Sequence, residues 1–129
     1  MFDPQRADKD LFWVATSRKD MRALPQDVHR KFGFGLRAIQ GGDTPANAAA
    51  FPQGGSGCME LKENHDRATF RTMYVAKFPD GVYVLHVFQK KSKSGIATPQ
   101  EDIDLVQERY KLAEQQSHMN LADTKVKHK

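Results

Sequence analysis

The segment Val82-Tyr83-Val84-Leu85-His86-Val87-Phe88 constrains the fold more than any other part of this chain. Apart from His86 it is continuously apolar. A strand with one wet face alternates apolar and polar side chains, so an unbroken run reads as a strand covered on both faces. Phe78-Pro79-Asp80-Gly81 just before it is a strong turn signal. The turn implies an antiparallel neighbour, and residues 68–77 supply one. There Phe70, Thr72 and Tyr74 share one side, while Thr69, Arg71, Met73 and Val75 share the other. Residues 58–63 form a further strand, and the short connections make the three a meander.

Such a sheet needs helices on its faces. After an apolar strand at 11–15, Ser17 caps a short helix over 17–24, which Pro25 ends. Val28, Phe32, Leu36 and Ile39 recur at helical spacing over 26–40, and Gly41-Gly42 closes that helix. Residues 41–57 carry loop chemistry, including Gly54-Gly55-Ser56-Gly57. Thr98-Pro99-Gln100-Glu101 starts a last helix over 99–115, with Asp102 and Asp104 favoured by the helix dipole. The expected fold is α+β, a small mainly antiparallel sheet in the order β-α-α-β-β-β-α with packed helices. One domain fills 1–129, with 1–10 and 117–129 loose. The expected core holds Trp13, Val28, Phe32, Leu36, Ile39, Phe70, Val84, Leu85, Val87, Ile103, Val106 and Tyr110.

Several function classes fall away. The single cysteine, Cys58, excludes an internal disulfide framework and a Cys-cluster zinc site, and its apolar strand context marks it as a core residue. There is no P-loop, dinucleotide fingerprint or His-Glu-x-x-His pair, and the histidines lack metal-ligand spacing. No apolar run spans a membrane and no secretory leader is visible. The reading is a cytoplasmic domain without metal or other cofactor.

The net charge is +4, and residues 81–100 contain no acid but hold Lys90, Lys91 and Lys93. With Lys62 ending one strand, Arg67 opening the next and Arg71 inside it, the cations converge on one sheet. Such a cluster suits a phosphate backbone. Arg71 has two readings: a phosphate ligand, or half of an ion pair with Glu60 or Glu63. His86 reads more simply as a neutral, hydrogen-bonded core imidazole, and Tyr74 as a packed strand residue.

Residues 58–71, the segment FRTMY at 70–74, the segment GVYVLHVFQKKSKSG at 81–95 and the following helix resemble the phage-derived HigB branch of the RelE/ParE toxin superfamily. LPQDVHRKFGFGLRAIQGG at 24–42 is similar to that branch's first helical pair. The resemblance implies a RelE-like sheet and the toxin of a type II toxin–antitoxin pair. Such toxins are ribosome-dependent, metal-independent mRNA endoribonucleases that block translation. Arg71 matches the arginine that contacts the scissile phosphate, Lys62 the lysine on the preceding strand, and Lys90 and Lys91 the basic pair after the last strand. With His86 these are the catalytic candidates; Arg67, Lys93 and Tyr74 are the RNA-binding ones. RelE-type enzymes often carry a base-stacking tyrosine soon after the basic pair, whereas Ser94-Gly95-Ile96-Ala97-Thr98 holds no aromatic. The implied partners are a cognate antitoxin of helix-turn-helix type, the ribosome and mRNA, with no membrane. Two alternatives stay open: a ParE-like inhibitor that binds DNA gyrase without catalysis, and an inactive relic that only binds its antitoxin.

Overall fold

The structure, a computed structural model, describes residues 8–90 and 98–127. Five strands build one mixed sheet: β1 (Asp10–Trp13), β2 (Ala48–Ala50), β3 (Cys58–His65), β4 (Ala68–Val75) and β5 (Gly81–Lys90), in the spatial order β1-β5-β4-β3-β2. β3, β4 and β5 form the expected antiparallel meander, and β1 lies parallel to β5. β5 is therefore an interior strand, flanked by β1 and β4, and its residues from Gly81 to Val87 are buried, as an apolar run without alternation requires.

Helices α1 (Ser17–Arg22) and α2 (Gln26–Gln40) cover one face, and α3 (Gln100–Lys127) covers the other. Val28, Phe32, Leu36 and Ile39 of α2 pack on Leu61, Phe70, Tyr74, Val82, Val84 and Val87. Gly35 lets α2 approach closely, because a Cβ there would meet Leu61 Cδ1 at 3.1 Å. Val106, Tyr110 and Ala113 of α3 pack on Cys58, Met73, Val75, Tyr83 and Leu85. Trp13 and Ile103 join these cores only partly buried. β3 and β4 are joined by Asp66-Arg67, both in the left-handed region at φ 48° and 67°, which matches the sheet twist in a two-residue hairpin.

Three features depart from the sequence expectation. Ser17 does not cap α1: it is the first helical residue, Thr16 stands at the cap without a side-chain capping bond, and Ser17 Oγ donates instead to Val84 O at 3.1 Å. Ala48–Ala50 pairs antiparallel with Met59–Leu61 as an edge strand inside the expected loop. α3 continues to Lys127, past the point where the expectation ended the helix and placed a loose tail. Its second half is fastened by polar contacts rather than an apolar stripe. Ser117 Oγ donates to Asp80 Oδ1 at 2.6 Å, and Asn120 Nδ2 donates to Asp80 Oδ2 at 3.0 Å. No helix among the described residues is long and apolar enough to cross a membrane.

Candidate phosphate-binding face

Strand pairing decides which side chains meet. Lys62, Arg71 and Phe88 lie side by side across β3, β4 and β5, and in the next row stand Glu60, Met73 and His86. Alternation places all six on the α3 face. Lys90, opposite Thr69, follows two residues after Phe88 on that same face. The sheet thus gathers Lys62, Arg71, Lys90 and Glu60 beyond the start of α3, on rigid strands.

Arg71 is 9% exposed. Its Nη1 donates to Glu60 Oε1 at 2.6 Å, while its Nε is buried without a hydrogen-bond partner. The cross-sheet ion pair of the structural reading is therefore formed. The partner is Glu60, one row away, while Glu63 pairs in register with Phe70. Lys90 is 8% exposed, and its Nζ too is buried without a partner. Burial lowers its pKa, and the neighbouring Arg71 and Lys62 charges add to this against the pull of Glu60. Lys62 is exposed beside Arg71. Three cations thus neighbour one carboxylate, and two buried N–H donors are unsatisfied, which is costly without an acceptor.

His86 is held on three sides. Its ring stacks on Phe88 at 4.5 Å, its Nε2 lies 2.8 Å from Asp102 Oδ1, and its Nδ1 lies 3.5 Å from Arg109 Nη1. Guanidinium only donates, so Nδ1 accepts and Nε2–H donates to Asp102. Burial lowers the His86 pKa below 6.5, and the Arg109 charge adds to this against Asp102. Arg109 continues the network to Leu85 O at 3.0 Å and to Thr16 Oγ1 at 3.0 Å. These contacts tie α3, β5 and the start of α1 together around a neutral imidazole.

The remaining candidates scatter. Tyr74 is 2% exposed in the core under α2, on the opposite face from Arg71. That position does not bring it to the cation cluster, and burial pushes its hydroxyl up to about 12. Arg67 is exposed at the β3–β4 hairpin tip. Lys91 and Lys93 lie outside the described residues. Cys58 is buried, and burial pushes its thiol up to about 12, which fits a core residue. Among the described residues no group of three or more His, Cys, Asp or Glu side chains is placed to hold a metal ion.

Residues 19–111, which include α2, the meander and the cation cluster, match the family described as phage-derived protein Gp49-like (DUF891). The chain belongs to the Gp49-like family. That family is related to the RelE-like toxins of toxin–antitoxin systems. No curated protein and no solved structure matches the chain. In this Gp49-like chain, sequence reasoning treated Glu60 only as a possible structural partner and did not single out Asp102 or Arg109. Glu60 carried one signal, its i−2 spacing from Lys62, which puts both on one strand face. In the sequence Asp102 suits the helix dipole, and no pattern points it at His86, sixteen positions earlier.

Proposed function

We propose that this chain is the toxin of a type II toxin–antitoxin pair, of the HigB-like branch, and that it cleaves mRNA on the ribosome. The observation that carries this reading is the pair of buried, unpartnered donors, Arg71 Nε and Lys90 Nζ, on one sheet face. A phosphodiester supplies the acceptor oxygens such donors need, and an arginine can hold two of them at once. Glu60 engages Nη1, so the guanidinium edge formed by Nε and Nη2 is the one turned to phosphate.

In the proposed reaction the 2′-oxygen of the mRNA bonds to the adjacent phosphorus as the 5′-oxygen leaves. The 2′-hydroxyl proton passes to Glu60, and the departing 5′-oxygen takes a proton from Lys90, whose ammonium is already destabilised by burial. The products are a 2′,3′-cyclic phosphate and a free 5′-hydroxyl. Arg71 and Lys62 stabilise the charge that grows on the phosphoryl oxygens. His86, engaged at both ring nitrogens, holds Phe88 and the start of α3 beside the site. Arg67, Lys91 and Lys93 serve the RNA backbone. Positioning by the ribosome completes the geometry, so cleavage of free RNA is weak.

The test is a translation reaction programmed with a defined mRNA. Ribosome-dependent fragments with 5′-hydroxyl ends support the proposal; intact mRNA with translation unaffected overturns it. One observation favours a second, non-catalytic reading. The 2.6 Å Glu60–Arg71 pair already gives Arg71 a partner, as a gyrase-binding inhibitor or an inactive relic would have it. Inhibition of DNA supercoiling with mRNA left whole selects the former.

A further inference from the structure

A groove of about 400 Å³ runs between β1 and the second half of α3, apart from the cation cluster. Phe12 and Tyr83 line one side, and Leu112 and Met119 line the other; the Trp13 side chain belongs to the core on the opposite sheet face. Leu112 is 45% exposed and Met119 63%, two of the three large apolar side chains so exposed among the described residues. None of the lining residues is charged, in a chain that is 28% charged. An uncharged concave strip with exposed large apolar side chains is the usual mark of a protein-binding groove.

Two further observations define what fits it. β1 is the last strand on its side of the sheet, so among the described residues the outer edge of Asp10–Trp13 faces no other strand. An open edge beside an apolar groove suits an extended peptide, whose main chain pairs with the edge while alternate side chains enter the groove. The rim is basic. Ala15 ends the groove, and α1, which starts at Ser17, exposes Arg18, Lys19 and Arg22. The acid of that helix, Asp20, accepts from Thr16 Oγ1 at 2.9 Å and so faces the helix start.

We propose that the β1 edge and this groove dock an extended apolar segment of a protein antitoxin, acidic where it passes α1. The assignment rests on the toxin–antitoxin reading and locates its partner on a surface that shares no residue with the phosphate-binding cluster. The antitoxin's apolar side chains replace water over Phe12, Leu112 and Met119, and its acids meet Arg18, Lys19 and Arg22.

The test uses the intact chain and the protein encoded by the adjacent reading frame, with binding measured by calorimetry. The double variant Leu112→Asp/Met119→Asp changes two exposed positions, so its melting temperature should stay near that of the parent. Its affinity should fall at least about 30-fold, as loss of a central apolar anchor does. Arg18→Glu/Lys19→Glu should slow association, most at low salt. Phe34→Asp, at a 70% exposed position on α2, should bind like the parent. Parental affinity in the Leu112/Met119 variant overturns the proposal, as does loss of binding with Phe34→Asp or no binding of that protein by the parent. A concentration-dependent dimer of the chain alone, abolished by the same double variant, also overturns it and assigns the groove to a second copy. Growth arrest by the chain expressed alone reads out the toxin assignment separately: its absence removes that assignment and leaves the binding result to be judged on its own.

Discussion

Glu60 Oε1 stands 2.6 Å from Arg71 Nη1, with the two side chains 13% and 11% exposed, while Arg71 Nε beside it is buried without a partner. One guanidinium therefore has a structural end and an unsatisfied edge. A purely structural pair would leave no orphaned donor, and a purely catalytic arginine would have no fixed carboxylate. The same contact that holds Arg71 on its strand also sets which edge is presented.

Arg71→Ala should therefore change two quantities at once. Loss of the phosphate ligand should cut ribosome-dependent cleavage by about 100-fold or more. Glu60, left nearly buried without its cation, should cost about 1–3 kcal/mol of stability. Arg71→Lys should restore part of the stability and little of the cleavage, because an ammonium cannot span two phosphoryl oxygens. Glu60→Ala/Arg71→Ala should melt above Arg71→Ala and remain inactive. Melting temperature and mRNA cleavage on the same preparations decide it: an Arg71→Ala protein that is folded and fully toxic removes Arg71 from the site.

The His86 network should make stability depend on pH. Burial and Arg109 hold His86 neutral in the fold, with its pKa below the 6.5 of the free side chain. The unfolded chain then binds the extra proton more readily, so stability is fully present above pH 6.5 and falls as the pH drops through the lower native value. His86→Asn should flatten this slope while lowering stability overall, because Asp102 and Arg109 lose their shared partner. Denaturant titrations between pH 5 and pH 8 check it; an unchanged slope in His86→Asn would place the titration elsewhere.

Asp80 should act as the clasp for the second half of α3. It accepts from Ser117 Oγ at 2.6 Å, Tyr83 Oη at 2.6 Å and Asn120 Nδ2 at 3.0 Å. Burial opposes its ionisation, but these donors outweigh it and lower its pKa below 3.8. A lowered carboxylate contributes stability that is present above pH 3.8 and is lost as the pH falls through the native value. Asp80→Ala should speed amide exchange from Ser117 onward while leaving Val28–Ile39 protected, with a loss of about 1–3 kcal/mol. Uniform loss of protection would show that α3 has no separate second half.

These predictions lean on elements of unequal legibility in the sequence. β5 was plain, because a two-sided strand has no alternative to a continuous apolar run. α2 was plain from four apolar residues at helical spacing, and Gly33 and Gly35 did not mislead. β2 was hidden, since Ala48–Ala50 has no side chain large enough to mark an inward face. The end of α3 was hidden because Ser117 and Asn120 dock through Asp80, and polar docking leaves no apolar stripe to read. The position of Arg71, Lys62 and Lys90 on one face followed from alternation and pairing. The direction of each polar contact did not: only the register distinguishes Glu60 from Glu63, and only the packing of α3 brings Asp102 and Arg109 to His86.

Lys90 offers the sharpest separation of stability from function. It is 8% exposed with Nζ unpartnered, and burial together with the Arg71 and Lys62 charges lowers its pKa. A buried ammonium beside two other cations opposes folding, with Glu60 offsetting part of that cost; in the proposed reaction the phosphate offsets the rest. Lys90→Met keeps the length and apolar stem of the side chain and removes the charge. It should raise the melting temperature, or leave it unchanged, while cleavage falls by about 100-fold. Association with ribosomes should weaken as well, with a salt dependence shallower by about one phosphate contact. Lys62→Met, at an exposed position, should leave the melting temperature unchanged and reduce cleavage less. If Lys90→Met instead lowers the melting temperature and toxicity falls only in step with it, Lys90 is a structural residue whose amine finds its partner within the fold, and the phosphate-binding face loses its second donor.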